Sequence, residues 1–162
     1  MVNCRFRVAE PTDADAILAV KRAAISALVG TQYTDEQLTA WAPDDDALSD
    51  FESAVESDQF TVLLAETRDE TAGYGVLNGS KERIDAVYVH PEYAREGIAS
   101  SLVGQLEMRA RMRGIEELSI VASLNARPFY ESLGYWNVGT KIQTIDGVDI
   151  EFAVMHKRLM AD

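Results

Sequence analysis

The residues that could do chemistry start at Val87-Tyr88-Val89-His90-Pro91. There a β-branched run stops, and the loop Glu92 to Glu96 feeds Gly97-Ile98-Ala99 into an amphipathic stretch. Strand, loop and helix start, with small residues at the turn, is an order that cradles a phosphate. The first helical turn leaves N–H groups without intrahelical partners, and the helix dipole adds partial positive charge. Small residues let a ligand close on the main chain. The loop therefore predicts a ligand that carries phosphates.

The loop needs a scaffold. Cys4 to Val8 alternates and predicts a strand with Phe6 and Val8 on one face. Thr12 reads as an N-cap followed by Asp13 and Asp15, and Ile17, Val20, Ala24 and Leu28 then recur at helical spacing up to Gly30. Thr34 and Gln37 predict a capping box on a helix from Asp35 to Ala42, ended by Pro43. Asp44 to Ser57 predicts a third helix, with Leu48, Phe51 and Val55 inward. Phe60 to Ala65 and Ala72 to Leu77 predict a hairpin around Arg68-Asp69-Glu70; Asn78-Gly79 is the next turn and Ile84 to Val89 the next strand. The helix from Gly97 to Arg113 puts Ile98, Leu102, Leu106 and Ala110 on one stripe and stops at Gly114. Leu118 to Ala122 reads as a strand and Arg127 to Leu133 as a short helix closed by Gly134. Tyr135 to Ile145 and Val148 to Met155 form a last hairpin around Asp146-Gly147.

Tight connections make most neighbours antiparallel, whereas the strand–helix–strand unit 84–122 needs a right-handed crossover and a parallel pair. The expected architecture is mixed α/β (α+β). It has a central, mostly antiparallel sheet of six or seven strands with helices on both faces, in a single domain over 1–162.

Composition narrows the function. With 162 residues, 47% of them hydrophobic and 26% charged, the chain can bury a core. No apolar run reaches the roughly 18–20 residues of a membrane span, and the N-terminus lacks a signal-peptide layout. Cys4 is the single cysteine, which excludes an internal disulfide, and no Cys/His cluster suggests zinc or another metal. A cytoplasmic protein with no membrane or nucleic-acid partner is expected, since a net charge of −12 offers no general basic surface. Halophilic adaptation would produce the same acidity. The charge is uneven: residues 10–58 hold twelve acidic side chains against Lys21 and Arg22, while 95–127 hold five Arg against four Glu. A polyanionic cofactor favours the second region and a cationic substrate the first.

Two segments together resemble a family. Ile84-Asp85-Ala86-Val87-Tyr88-Val89-His90-Pro91-Glu92-Tyr93, followed by Gly97-Ile98-Ala99, is similar to the acetyl-CoA-binding motif of GNAT-type (GCN5-related) N-acetyltransferases. Ser123-Leu124-Asn125-Ala126-Arg127-Pro128-Phe129-Tyr130-Glu131-Ser132-Leu133-Gly134-Tyr135 looks like that family's second signature, and the resemblance covers roughly residues 4–157. The family's loop usually reads Gln/Arg-x-x-Gly-x-Gly/Ala. Gly97 and Ala99 match, but the first position falls on Ala94, with Arg95 one residue later. Backbone N–H groups do most of the phosphate binding, so losing one side chain costs about 1 kcal/mol.

The resemblance implies the GNAT fold and acetyl transfer from acetyl-CoA, as cosubstrate, to a primary amine by direct attack in a ternary complex. By position, the main chain of Val87 and Val89, flanking Tyr88, would pair with the pantetheine arm. Backbone N–H groups from Arg95 through Glu96, Gly97, Ile98 and Ala99 to Ser100 would hold the pyrophosphate, and Asn125 and Phe129 would line the cofactor arm. Tyr130 would protonate the departing thiolate, and the Val87 N–H would stabilise the carbonyl oxygen. Asp85, two residues before Val87 and so expected on the same strand face, is one candidate base. Glu66 is another, and a water relay a third.

Tyr33, Gln37 and Trp41 recur every four residues, either as packing or as a face over the acceptor slot, where the neighbouring Asp35, Glu36 and Asp44 would suit a cationic amine. His90 and His156, Arg109, Arg111 and Arg113, and Cys4 read as structural or solvated. The acceptor is a small-molecule or peptide amine, and the last hairpin offers an edge for a homodimer. The alternative is a non-catalytic acyl-CoA-binding or sensor module of the same fold. A Rossmann domain is excluded, because Arg5 to Asp15 contains no glycine.

Overall fold

Seven strands and five helices follow from these patterns in a computed structural model that describes residues 4–68 and 70–159. The strands are β1 (Arg5–Val8), β2 (Phe60–Thr67), β3 (Glu70–Asn78), β4 (Arg83–Val89), β5 (Glu117–Ser123), β6 (Trp136–Ile145) and β7 (Val148–Arg158). The helices are α1 (Ala14–Ser26), α2 (Asp35–Trp41), α3 (Ala47–Glu56), α4 (Ile98–Met112) and α5 (Arg127–Ser132). One sheet orders the strands β1-β2-β3-β4-β5-β7-β6. Every neighbouring pair is antiparallel except β4–β5. This is the mixed α/β sheet expected, at its seven-strand limit.

Several boundaries move for local reasons. Thr12 is not the cap of α1. A 3-10 turn, Pro11–Asp13, precedes that helix, capped by Glu10, whose N–H donates to Asp13 Oδ2 at 2.7 Å. The Arg7 guanidinium grips Asp13 and Glu66 together, tying β1, this turn and β2, and holds the Asp13 carboxyl below its ordinary range. The capping box on α2 forms as expected: Gln37 N–H donates to Thr34 Oγ1 (3.1 Å), and Thr34 N–H to Gln37 Oε1 (2.9 Å). In the β2–β3 turn, Arg68 takes a left-handed φ of 54°, and the expected turn residue Asp69 lies outside the described residues.

Helices cover both faces. On one, α4 buries Ile98, Leu102, Leu106 and Ala110 against the sheet, each large side chain contributing about 1.5–3 kcal/mol. Gly75 permits this approach, since a Cβ there would lie 2.8 Å from Leu106 Cδ1. Beneath α4, buried Glu107 accepts from the Tyr135 hydroxyl (2.8 Å) and from Lys157 Nζ (3.0 Å), and Lys157 also donates to Leu133 O (2.8 Å). On the other face, α1 packs on β3 and β4 and α3 on β2, around Ile17, Val20, Leu64 and Tyr74, while α2 lies over β7. Among the described residues no helix is long and apolar enough to cross a membrane.

Candidate active site

The parallel pair does not stay paired. β4 and β5 match only at Arg83↔Ser119 and Ile84↔Ile120, and then diverge. His90 N–H donates to Ala72 O on β3 (2.8 Å), so strand alternation turns the main chain of Tyr88 toward β3 and that of Val87 and Val89 into the gap. From the other wall, Ser119 N–H points to Glu82 O (3.1 Å), which likewise turns Val121 and Ser123 to the gap. The result is a wedge with unpaired strand edges on both sides. A peptide-like chain could lie between them as an added strand. Its floor and sides form a cleft of about 180 Å³, lined by Val87, Val89, Ser123, Ala126 and Tyr130 among others.

At the open end of the wedge β4 runs into the loop before α4. Arg95 (φ 64°) and Gly97 (φ 83°) are both left-handed. Ser101 N–H is the first to bond back along the helix, to Gly97 O (3.1 Å), which leaves the N–H groups of Ile98, Ala99 and Ser100 aimed outward. A Cβ at Gly97 would meet no atom within 4 Å. Glycine is there for its φ, and the space above it is open to an anion.

Tyr130 lines the cleft. Its ring is buried against Phe129 (4.9 Å between centres) and Tyr135 (5.7 Å). Its hydroxyl has no hydrogen-bond partner among the described residues. Burial, with the Tyr88 phenol nearby, pushes the Tyr130 phenol well above its ordinary value, so it keeps its proton at neutral pH.

Comparisons with known proteins agree with this geometry. The model of the acetyltransferase (GNAT) domain family matches residues 29–159. The chain belongs to the GNAT family. Within that family it is 28% identical over 138 residues to the uncharacterized N-acetyltransferase YafP of Escherichia coli (strain K12), covering 85% of each chain. Its structure resembles a GCN5-related N-acetyltransferase from Rhodopseudomonas palustris (TM-score 0.86, 29% identity, 98% and 97% of the two chains). The PaiA N-acetyltransferase of Thermoplasma acidophilum, solved with coenzyme A, shares the fold (TM-score 0.76, 19% identity, 97% and 99%). The chain thus has the acyltransferase fold of an N-acetyltransferase family.

Within this GNAT fold the expected site residues separate. Val87, Val89 and Tyr130 meet in the cleft, with Tyr88 on its wall. Arg95, Glu96, Gly97, Ile98, Ala99 and Ser100 form the loop and helix start described above. Ser100 Oγ donates back to Gly97 O (3.0 Å), and Glu96 Oε2 is buried without a hydrogen-bond partner among the described residues. Asn125 is exposed in a 3-10 turn, and Ala126 beside it supplies the cleft lining. Phe129 packs on Tyr130.

Asp85 departs from the strict alternation expected of its strand. Val76 pairs with Ala86 but Leu77 with Ile84, so Asp85 is the extra residue of a β-bulge. The bulge breaks the two-residue alternation: Ile84 and Val87 pack beneath α4, whereas Ala86 and Tyr88 pack beneath α1. The Asp85 carboxylate still lines the cleft with Val87, but it is held there by Arg83 Nε and by Asn78 Nδ2 (3.1 Å), so both of its oxygens are already engaged. Glu66 is held by Arg7 near β1.

The Tyr33, Gln37 and Trp41 face is also divided. Trp41 lines the cleft, edge-on to Phe152 (5.2 Å) and Tyr88 (6.4 Å). The Tyr33 hydroxyl donates to Glu151 O (2.7 Å) and accepts from Leu124 N–H (2.9 Å), bracing the end of β5 against β7 where the wedge is open. Gln37 spends its amide on the capping box and on Asp149 O (3.0 Å).

The sequence reading missed Lys21, drawn in against the rings of Tyr88 and Phe51. The signal was present: Lys21 interrupts the apolar stripe Ile17–Ala24–Leu28.

Proposed function

We propose that the protein transfers the acetyl group of acetyl-CoA directly to an amine. The observation that carries this reading is the splayed β4–β5 wedge, whose cleft is lined by Val87, Val89 and a Tyr130 whose hydroxyl has no partner among the described residues. Family membership and the coenzyme A complex of the PaiA relative support it.

The residues fit such a cosubstrate. Val87 and Val89 would pair with the amide-bearing arm, and the N–H groups of Ile98, Ala99 and Ser100 would take the pyrophosphate. Acetyl-CoA supplies an activated acetyl thioester. The neutral amine nitrogen bonds to the acetyl carbon and the carbon–sulfur bond breaks. Val87 N–H donates to the carbonyl oxygen as charge gathers there. The Tyr130 hydroxyl gives its proton to the sulfur, and the proton lost by the amine restores the phenol through solvent. The desolvation that raises the phenol acts on a thiolate in the same cleft, so the two stay matched.

A purely binding module would have no use for a protonated phenol kept free of partners beside the free strand edge. Substitution of Ala94 at the loop leaves the main-chain donors intact.

The test is calorimetric titration of acetyl-CoA, followed by thiol release over an amine panel at low and high salt. Binding with turnover of some amine is expected. Binding without turnover of any would favour the sensor alternative, and no binding at either salt would remove the reading.

A further inference from the structure

The cleft has a second lobe of about 290 Å³ on the α1 side of the sheet, lined by Lys21, Trp41, Arg83, Asp85, Tyr88 and Gln143 among others. Its charges do not cancel. Arg83 and Asp85 neutralise each other in a direct ion pair, and Asn78 satisfies the second carboxylate oxygen. Lys21 has no carboxylate partner among the described residues. Its Nζ lies 5.6 Å from the centre of the Tyr88 ring and 5.9 Å from that of Phe51.

Aromatic faces compensate a desolvated ammonium only in part, and burial accordingly lowers the Lys21 ammonium from its ordinary value. Packing does not ask for this charge. The stripe Ile17–Ala24–Leu28 would accept Met or Leu at the same place without the desolvation cost.

We propose that Lys21 binds an anionic group of the acceptor, so that the substrate is a small amine that also carries a carboxylate or comparable anion. This rests on the acetyl-transfer reading above. The Lys21 lobe and the Tyr130 lobe share Trp41, Tyr88, Val121, Phe152 and the Arg83-paired Asp85 as common walls. Along α1, Lys21 faces one lobe and Ala24 the other, about one turn or 5 Å further on. A molecule of amino-acid size therefore reaches from one to the other, its anion at Lys21 and its amine toward Val87. The fixed cation also favours the neutral amine, the form that attacks. A polyamine would set a second cation against an uncompensated first. Although the chain carries net charge −12, its acceptor lobe is positive, which reverses the expectation of a cationic substrate.

The experiment uses the full chain saturated with coenzyme A and titrates matched products calorimetrically. N-acetyl-L-phenylalanine, N-acetyl-L-leucine and N-acetyl-L-glutamine are each compared with the decarboxylated counterpart, with N-acetylspermidine as the cationic control. At least one carboxylate should bind about tenfold or more tighter than its counterpart. Lys21→Met should abolish the difference and Lys21→Arg retain most of it, with thermal unfolding confirming that both variants fold. If no carboxylate is preferred, if N-acetylspermidine binds best, or if the preference survives in Lys21→Met, the proposal is overturned. A parallel acetyl-CoA titration separates the two readings. Its failure removes the acetyltransferase reading, whereas acetyl-CoA binding without carboxylate preference removes the Lys21 assignment alone.

Discussion

Two lysines are drawn in against this sheet from opposite faces, and they are treated differently. Lys157, on the α4 side, meets Glu107 at 3.0 Å and the carbonyl of Leu133 at 2.8 Å, with the Tyr135 ring beneath it (5.5 Å). Lys21, on the α1 side, meets two aromatic rings and an open lobe. A buried charge whose partner comes from the fold is part of the fold. A buried charge left with rings and space waits for a partner from outside. The same contrast separates the Asp85 and Glu107 carboxylates, each held by two donors, from the Tyr130 hydroxyl, which has no hydrogen-bond partner among the described residues.

The largest effect should come from breaking the paired side. Glu107→Ala strands the Lys157 ammonium and the Tyr135 hydroxyl under α4 and should cost about 3–5 kcal/mol in denaturant unfolding. Lys157→Met, which strands the Glu107 carboxylate, should cost about as much. Lys21→Met should be neutral or stabilising by about 1 kcal/mol, because it removes a desolvated charge that no fold partner answers. An equal loss in Lys157→Met and Lys21→Met would erase the distinction.

A smaller effect is expected at Gly97. The space above it is open, so Gly97→Ala should cost only the left-handed φ, about 1–2 kcal/mol, and weaken acetyl-CoA several-fold. The smallest effect is alkaline. The Lys21 ammonium is held below its ordinary 10.5, so between its folded value and 10.5 the unfolded chain binds more protons and stability rises with pH. Subtracting the Lys21→Met unfolding curve from that of the parent protein should isolate this rise in the alkaline window. A flat difference would place Lys21 in a more solvated setting.

The sequence shows some of this plainly and hides the rest for physical reasons. The α4 stripe, the Thr34–Gln37 capping box and the glycine at the helix start are local, and their spacing states them. The wedge is not local: it depends on β4 and β5 parting after one matched pair beyond Arg83, which no single segment encodes. The Asp85 bulge defeats counting by twos, with no glycine to mark it. The role of Tyr33 as a brace between β5 and β7 depends on contacts 91 and 118 residues away along the chain. Lys21 was visible as a polar interruption of an apolar stripe, yet it precedes residue 29, where the match to the family model begins. The wedge lies wholly within that match; α1, which supplies Lys21 to the second lobe, lies outside it.

The most direct test of acetyl transfer in the wedge compares the parent protein with Tyr130→Phe, measuring acetyl-CoA binding by calorimetry and thiol release with an accepted amine. The two should bind acetyl-CoA equally, since the hydroxyl supports no contact of the fold, while turnover in the variant should fall by about 10²–10⁴-fold. Equal turnover would take the proton donor away from Tyr130, and loss of binding in both proteins would take acetyl-CoA away from the wedge.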